Sequence, residues 1–309
     1  MILTVTLNTA LDITYRVRSL RPHTSHRVSD VIERPGGKGV NVARVLAALG
    51  HEVTVTGFAG GATGRAVRER LTETPGLTDA LVPVAGATRR TIAVMDELSG
   101  DTTQLNEPGP QIAPAEWGVF LDRYEELLPS ASAVALSGSL PPGVPVGAYA
   151  GLVRAARSAG VPVLLDTSGE PLRRGVAARP DIVKPNAEEL AELTGSHEPS
   201  RATQDARRRG AHAVVASLGA EGLLAVTPEG RWRATPPSRV HGNPTGAGDS
   251  AVAGLLSGLV EGLAWPDRLT RAVALSTATV RAPAAGEFDP AAYEELRGRV
   301  AVTGVVCAA

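Results

Sequence analysis

Eight consecutive residues toward the end of the chain, Asn243-Pro-Thr-Gly-Ala-Gly-Asp-Ser250, concentrate the types that phosphoryl chemistry needs. Gly246, Ala247 and Gly248 stand just before a long apolar stretch with helical spacing. Their backbone N–H groups therefore converge at a helix amino terminus, where dispersed negative charge is stabilised. Asp249 falls in the first turn, close enough to take a proton from an attacking hydroxyl. Phosphoryl transfer asks mainly for positioning and charge stabilisation, and this segment offers both. The same types also make a plain glycine-rich loop with an aspartate cap. The segment is not GxxxxGK[ST], and no GxGxxG follows the first strand, where the loop reads Asn8-Thr-Ala-Leu-Asp12.

A second concentration lies at Pro35-Gly-Gly-Lys-Gly39. Its glycines let backbone approach a ligand closely, while Lys38 supplies a point positive charge. Of the 31 basic residues only Lys38 and Lys184 are lysine, and the other 29 are arginine. Such a bias fits codon composition, but within it a position that keeps lysine could need a compact ammonium rather than a planar guanidinium. Arg89 and Arg90 sit together in Ala87-Thr-Arg-Arg-Thr91, where a guanidinium could grip a phosphate bidentately or simply face solvent from an edge strand.

These residues need a frame. Residues 2–7 read as a strand, and 40–50, with apolar positions at helical spacing and a terminal glycine, as a helix. Strands are expected at 51–60, 133–138, 161–167, 182–186, 211–219 and 222–227, and helices at 66–73, 114–128, 146–160, 187–195, 248–263 and 267–282. Near-continuous apolar strands alternating with helices imply a mostly parallel sheet covered on both faces. Two stretches without helical period, 13–35 and 88–106, could pair into a small separate sheet. That sheet would be a lid over the carboxyl ends of the main strands, where open α/β sheets bind ligands. No repeat or interdomain linker occurs, so residues 1–309 read as one domain.

Composition excludes other classes. A net charge of −1 draws the chain to neither nucleic acid nor membrane, and no basic patch interleaves with aromatics. No apolar run of about 18 residues is present for a membrane span. The start, MILTVTLNTALD, has no signal-peptide form, and the single cysteine, Cys307, fits a reducing compartment, so a cytoplasmic location is expected. The six histidines (His23, His26, His51, His197, His212 and His241) show no metal-ligand spacing.

Three motifs, in order, carry a resemblance. Gly246-Ala-Gly-Asp249 after Asn-Pro-Thr looks like the second signature of the PfkB, or ribokinase-like, carbohydrate kinases. PGGKGVNVARVLAALG (35–50) resembles their first, di-glycine signature, and Asn186-Ala-Glu-Glu189 matches N-x-x-E at a strand-to-helix junction. The likeness spans essentially the whole chain. Lys38 in GGKG, together with SGSLPPG (137–143), looks most like the branch of 1-phosphofructokinases and tagatose-6-phosphate kinases.

The resemblance implies an α/β, ribokinase-like fold: a central mostly parallel sheet with helices on both faces, plus a small β-sheet lid. It implies ATP-dependent phosphorylation of a hydroxyl of a ketohexose phosphate, with Asp249 as base and the backbone of Gly246, Ala247 and Gly248 steadying the γ-phosphoryl. The sugar phosphate would meet Asp12, Gly37, Lys38, Asn41, Arg89 and Ser139. ATP would meet Lys184, Asn186, Ser217, Gly219 and Gly222, and Glu189 would serve Mg²⁺. No aromatic marks the adenine slot, so an aliphatic sandwich between 217–222 and the 267–282 helix is expected. Family lids often pair into homodimers. Whether a monovalent cation activates is left open.

Each role has a structural counterpart that sequence does not remove. Asn41 could cap a helix, Asp12 make an Asx-turn, Ser139 a plain turn, Glu189 a solvated helix face, and Lys184 a structural ion pair. The family branch usually reads T-R-x-N-x-K where this chain has Thr88-Arg-Arg-Thr-Ile-Ala93, so the Asn and Lys are missing and the substrate is open. The alternatives are a kinase for another sugar, 6-phosphofructokinase-like or acting on an unphosphorylated hexose, and a non-catalytic sugar or nucleotide sensor. Two cations beside a neutral sugar would be poorly satisfied, and a sensor has no need of Asp249.

Overall fold

Apolar runs bounded by glycine and proline form the buried strands of one large sheet. In the computed structural model, which describes residues 1–28, 30–240, 242–282 and 285–304, these strands pair side by side in the parallel sense. The order runs Leu77–Asp79, Val53–Gly60, Ile2–Thr6, Ala133–Ser137, Val163–Asp166, Ile182–Val183, Ala213–Ser217. Leu223–Val226, Arg231–Thr235 and Ala301–Gly304 finish one edge in the antiparallel sense. His241 and Cys307 lie outside the described residues.

Both faces of the sheet are covered, which is why its strands are apolar at consecutive positions rather than alternately. Ile2, Val53 and Val55 pack with Val40 and Leu46 of the Lys38–Ala48 helix and Leu255 of the Ala247–Val260 helix. Leu3, Val5 and Leu136 pack on the other side with Phe120 and Tyr124 of Pro114–Leu127 and Leu152 of Ala148–Ser158.

The lid is a four-stranded sheet. Ala10–Val17 pairs antiparallel with Val31–Gly36 and parallel with Arg89–Asp96, which pairs antiparallel with Thr102–Asn106. Its first strand starts at Ala10, earlier than the expected 13. Asp12 is therefore not in a loop and makes no Asx-turn. It lies within a strand, opposite Arg34 on one side and Thr91 on the other. Aspartate disfavours strands in general, but here burial of Leu11 and Ile13 on either side sets the register.

Candidate active site

Parallel pairing brings seven strand ends to one rim of the sheet, and the chain places polar residues at most of them. Asn8 follows the first strand, Ser137 ends Ala133–Ser137, Asp166 ends Val163–Asp166, Lys184 follows Ile182–Val183, and Ser217 ends Ala213–Ser217. The Ala247–Val260 helix aims its amino terminus at this rim. Its N-cap, Gly246, has φ 84, a left-handed conformation that glycine adopts without strain. A Cβ there would also come within 2.8 Å of the Ala285 Cα, so the position has neither torsional nor steric room for a side chain.

The expected cradle of amides is narrower than the sequence implied. The Ala247 N–H is taken up by the Pro244 carbonyl at 3.1 Å, whereas among the described residues the Gly246 and Gly248 amides meet no acceptor. Asp249 lies in the first turn and is buried. Its Oδ2 accepts a hydrogen bond from Asn41 Nδ2 at 2.8 Å. Burial pushes its carboxyl up from 3.8 to about 6, and Asp166 adds to the rise. Lys38, the Asn41 bond and Lys184 pull the other way. Asn41, expected to bind a sugar hydroxyl, thus also orients the candidate base, while its own Oδ1 is buried without a partner among the described residues.

The chain's only two lysines converge on one carboxylate. Lys38 Nζ stands 3.2 Å from Asp166 Oδ2, and Lys184 Nζ stands 3.1 Å from Asp166 Oδ1. Asp166 and Lys184 are buried, and Lys38 remains partly open to the cleft. Burial alone would raise the Asp166 carboxyl, but Lys184 and then Lys38 outweigh it and hold it below the usual carboxylate range. Asp166 above all keeps Lys38 charged, with Asp249 and Glu189 adding to that field against the cost of burial. Lys184 Nζ lies 3.7 Å from where a Gly248 side chain would begin, so one ammonium sits at the helix entrance.

On the lid side, the Asp12 carboxylate occupies the space a Cβ at Gly36 would fill, so only glycine fits beneath it. Burial raises the Asp12 carboxyl, against a hydrogen bond to Thr91 and the charges of Arg89 and Arg44. Arg89 donates through Nε to the Asn8 carbonyl at 3.1 Å and through Nη1 to Thr91 Oγ1 at 3.3 Å. Asn8 Nδ2 in turn donates to Ser139 Oγ at 3.1 Å, and Gly138 packs against the Lys38 side chain. Arg89 and Ser139 are thus linked through Asn8, and Ser139 follows the glycine that neighbours Lys38, with Gly37 as N-cap of the Lys38–Ala48 helix. Arg90 does not join them and pairs with Glu107 in solvent at 2.7 Å.

On the far side of Asp249 opens a cavity of about 690 Å³. Asn186, Ser217, Gly219, Gly222 and Gly248 line its polar end, and Ala251, Val273 and Val280 its aliphatic one, as expected between the 217–222 loop and the Trp265–Thr279 helix. Asn186 and Glu189 form a reciprocal helix cap, Asn186 N–H donating to Glu189 Oε2 and Glu189 N–H to Asn186 Oδ1, both at 2.8 Å. Glu189 is thus not a merely solvated helix-face residue. Among the described residues no three His, Cys, Asp or Glu side chains group as a metal site.

Several site residues escaped the sequence reading. Asp166 could have been suspected from a lone acid at the end of the apolar run Val-Pro-Val-Leu-Leu, the only charge on that strand. Asn8 has an analogous position on the first strand. The Glu287 carboxylate, gripped by Arg34 of the lid at 2.6 Å and Arg44 of the first helix at 2.8 Å, left no such signal.

Comparisons with known proteins bear on this geometry. A family model described as pfkB family carbohydrate kinase matches residues 4–292. Phosphofructokinase-2 from Escherichia coli, solved in complex with potassium, is 30% identical, with 96% of this chain and 98% of that one covered at a TM-score of 0.89. The same protein in complex with fructose-6-phosphate superposes at a TM-score of 0.87, with the same identity and coverage. A possible 1-phosphofructokinase from Thermotoga maritima is 29% identical, covering 99% of this chain and 100% of its own at 0.88.

Proposed function

The chain belongs to the pfkB family of carbohydrate kinases, and on that premise we propose that it moves the γ-phosphoryl group of ATP onto a hydroxyl of a ketohexose phosphate, with Asp249 as the base. The observation that carries this reading is the Asp249 carboxylate itself. It is buried, held through one oxygen by Asn41, and neighboured by Gly248, which lines the large cavity and has the Lys184 ammonium close to it.

In this reading the acceptor hydroxyl gives its proton to the free oxygen of Asp249 as it attacks. A carboxyl near 6 is mostly ionised at neutral pH, yet far more basic than an exposed aspartate. The Gly246 and Gly248 amides and the Lys184 ammonium face the charge that develops on the transferring group. Lys38 and Arg89 hold the phosphate that the sugar already carries, and Asp12 accepts from its hydroxyls. The nucleoside end lies in the aliphatic part of the cavity. Mg²⁺, which the family implies, would meet Glu189: Oε2 is engaged in the cap, Oε1 accepts no hydrogen bond among the described residues, and a magnesium ion that keeps its waters needs few carboxylates. When bound it neutralises phosphate charge.

A panel assay tests the substrate. ADP release is measured with fructose 1-phosphate, tagatose 6-phosphate, fructose 6-phosphate and the free ketohexoses, with and without potassium. The proposal requires turnover to depend on a phosphorylated ketohexose. Equal or faster ADP release with free sugars, or none with any sugar, overturns it. Fructose 6-phosphate is the second reading, since the E. coli relative was solved with it. We extend the proposal to assembly, two copies pairing through their lids. Val31 and Leu105 lie on the outer lid strands, 52% and 58% exposed, and such edges invite strand pairing. Light scattering that finds only monomers at micromolar concentration would reject it.

A further inference from the structure

At the opposite end of the sheet from Asp249, the starts of the strands border a cleft of about 770 Å³. Five guanidiniums line it, from Arg157, Arg179, Arg207, Arg208 and Arg231, against the carboxylates of Asp181 and Glu229. Arg208 pairs with Asp205 at 2.9 Å, whereas among the described residues the other four have no carboxylate within ion-pair distance. Two of them are held in place by single bonds to backbone, their remaining N–H groups meeting no acceptor among the described residues. Arg157 Nη1 donates to the Ala178 carbonyl at 3.2 Å, and Arg207 Nε to that of His212 at 2.9 Å. Asp181 is itself occupied, accepting the Val163 N–H at 2.8 Å.

Helix ends explain part of this. Ala148–Ser158 and Pro199–Arg208 finish here, and a cation in a last turn is what the backbone dipole favours. That accounts for Arg157, Arg207 and Arg208. It does not account for Arg231, which begins an antiparallel strand, or for Arg179, which lies just past its helix at φ 64. Glycine is the ordinary occupant of such a left-handed position, and a side chain there carries a backbone penalty. We propose that this cleft is a binding site for a small polyphosphate anion, separate from the kinase centre. More than one anionic group is needed to satisfy cations drawn from four different elements. Arginine forks suit phosphate oxygens. Among the described residues the lining holds no Phe, Tyr or Trp, and the single His212 imidazole stands among five guanidiniums, so the recognised part is the phosphate chain itself.

The test uses inorganic tripolyphosphate as probe, titrated calorimetrically into the full-length kinase at low salt, with the active site filled by a non-hydrolysable ATP analogue and Mg²⁺. One further site per chain is expected. In the double variant R179E/R231E its affinity should fall about tenfold or more, while ATP-dependent sugar phosphorylation stays at the wild-type level. Arg179→Gly guards against a folding artefact: it relieves the left-handed strain, so its thermal midpoint should equal or exceed the wild type while its tripolyphosphate affinity drops. Binding that disappears once the analogue fills the active site overturns the proposal, as does binding that the charge-reversed variant retains unchanged. Neither result bears on which sugar the kinase uses.

Discussion

Replacing Asp249 by asparagine should make the protein more stable. The folded structure lifts this carboxyl from 3.8 to about 6 chiefly by burying it, so holding it ionised at neutral pH costs roughly 3 kcal/mol. Asparagine keeps the shape and a carbonyl oxygen for the Asn41 amide, but removes the charge. For a chain of 309 residues, that gain corresponds to a midpoint about 5 °C higher. The sign follows from linkage. Between about 3.8 and 6 the folded state binds the proton and the unfolded state does not, so wild-type stability falls as pH rises through that window. The advantage of Asp249→Asn is therefore full above pH 7 and vanishes near pH 4. Thermal unfolding of both proteins at pH 7.5, 6 and 4.5 reads it directly. A variant no more stable at pH 7.5, or equally favoured at every pH, would refute the claim that a buried charge is held there against its preference.

Asp166→Asn should do the reverse. Removing the shared partner of Lys38 and Lys184 leaves a buried ammonium uncompensated, a loss of roughly 3 kcal/mol at neutral pH. Because the Asp166 carboxyl is held low, that loss shrinks as pH falls below the ordinary carboxylate range, which pH-dependent unfolding would show. Lys38→Met should raise KM for a phosphorylated acceptor by about tenfold or more with kcat changed much less, and steady-state kinetics would separate the two. Glu287→Gln frees Arg34 of the lid and Arg44 of the first helix, and hydrogen exchange at residues 31–36 and 285–287 should quicken relative to the wild type.

Much of this was legible because its signals are local. The apolar runs at 2–6, 133–137 and 213–217 name a covered parallel sheet without help from tertiary structure, and the glycines around residues 37 and 246 mark close approaches of backbone. The rarity of lysine singled out Lys38 and Lys184, though not that they share Asp166: a charge placed at the end of an apolar strand looks the same whether it meets solvent or two cations. Helices Gly169–Ala177 and Pro199–Arg208 went unread because each buries so few residues: Leu172, Gly175 and Val176 make one short apolar pair in the first, and the second buries only the small Ala202, Thr203 and Ala206. Asp12 was misplaced because its strand is specified by partners more than twenty residues away, Arg34 and Thr91, rather than by its own propensity.

The most direct measurement is turnover by folded wild-type and Asp249→Asn proteins side by side, with ATP, Mg²⁺ and a ketohexose phosphate, across pH. The account predicts one sugar bisphosphate formed per ADP in the wild type, with kcat declining as pH drops through about 6. It predicts a variant slower by roughly a hundredfold to ten-thousandfold, with that acid limb gone. A variant that turns over at the wild-type rate would contradict it.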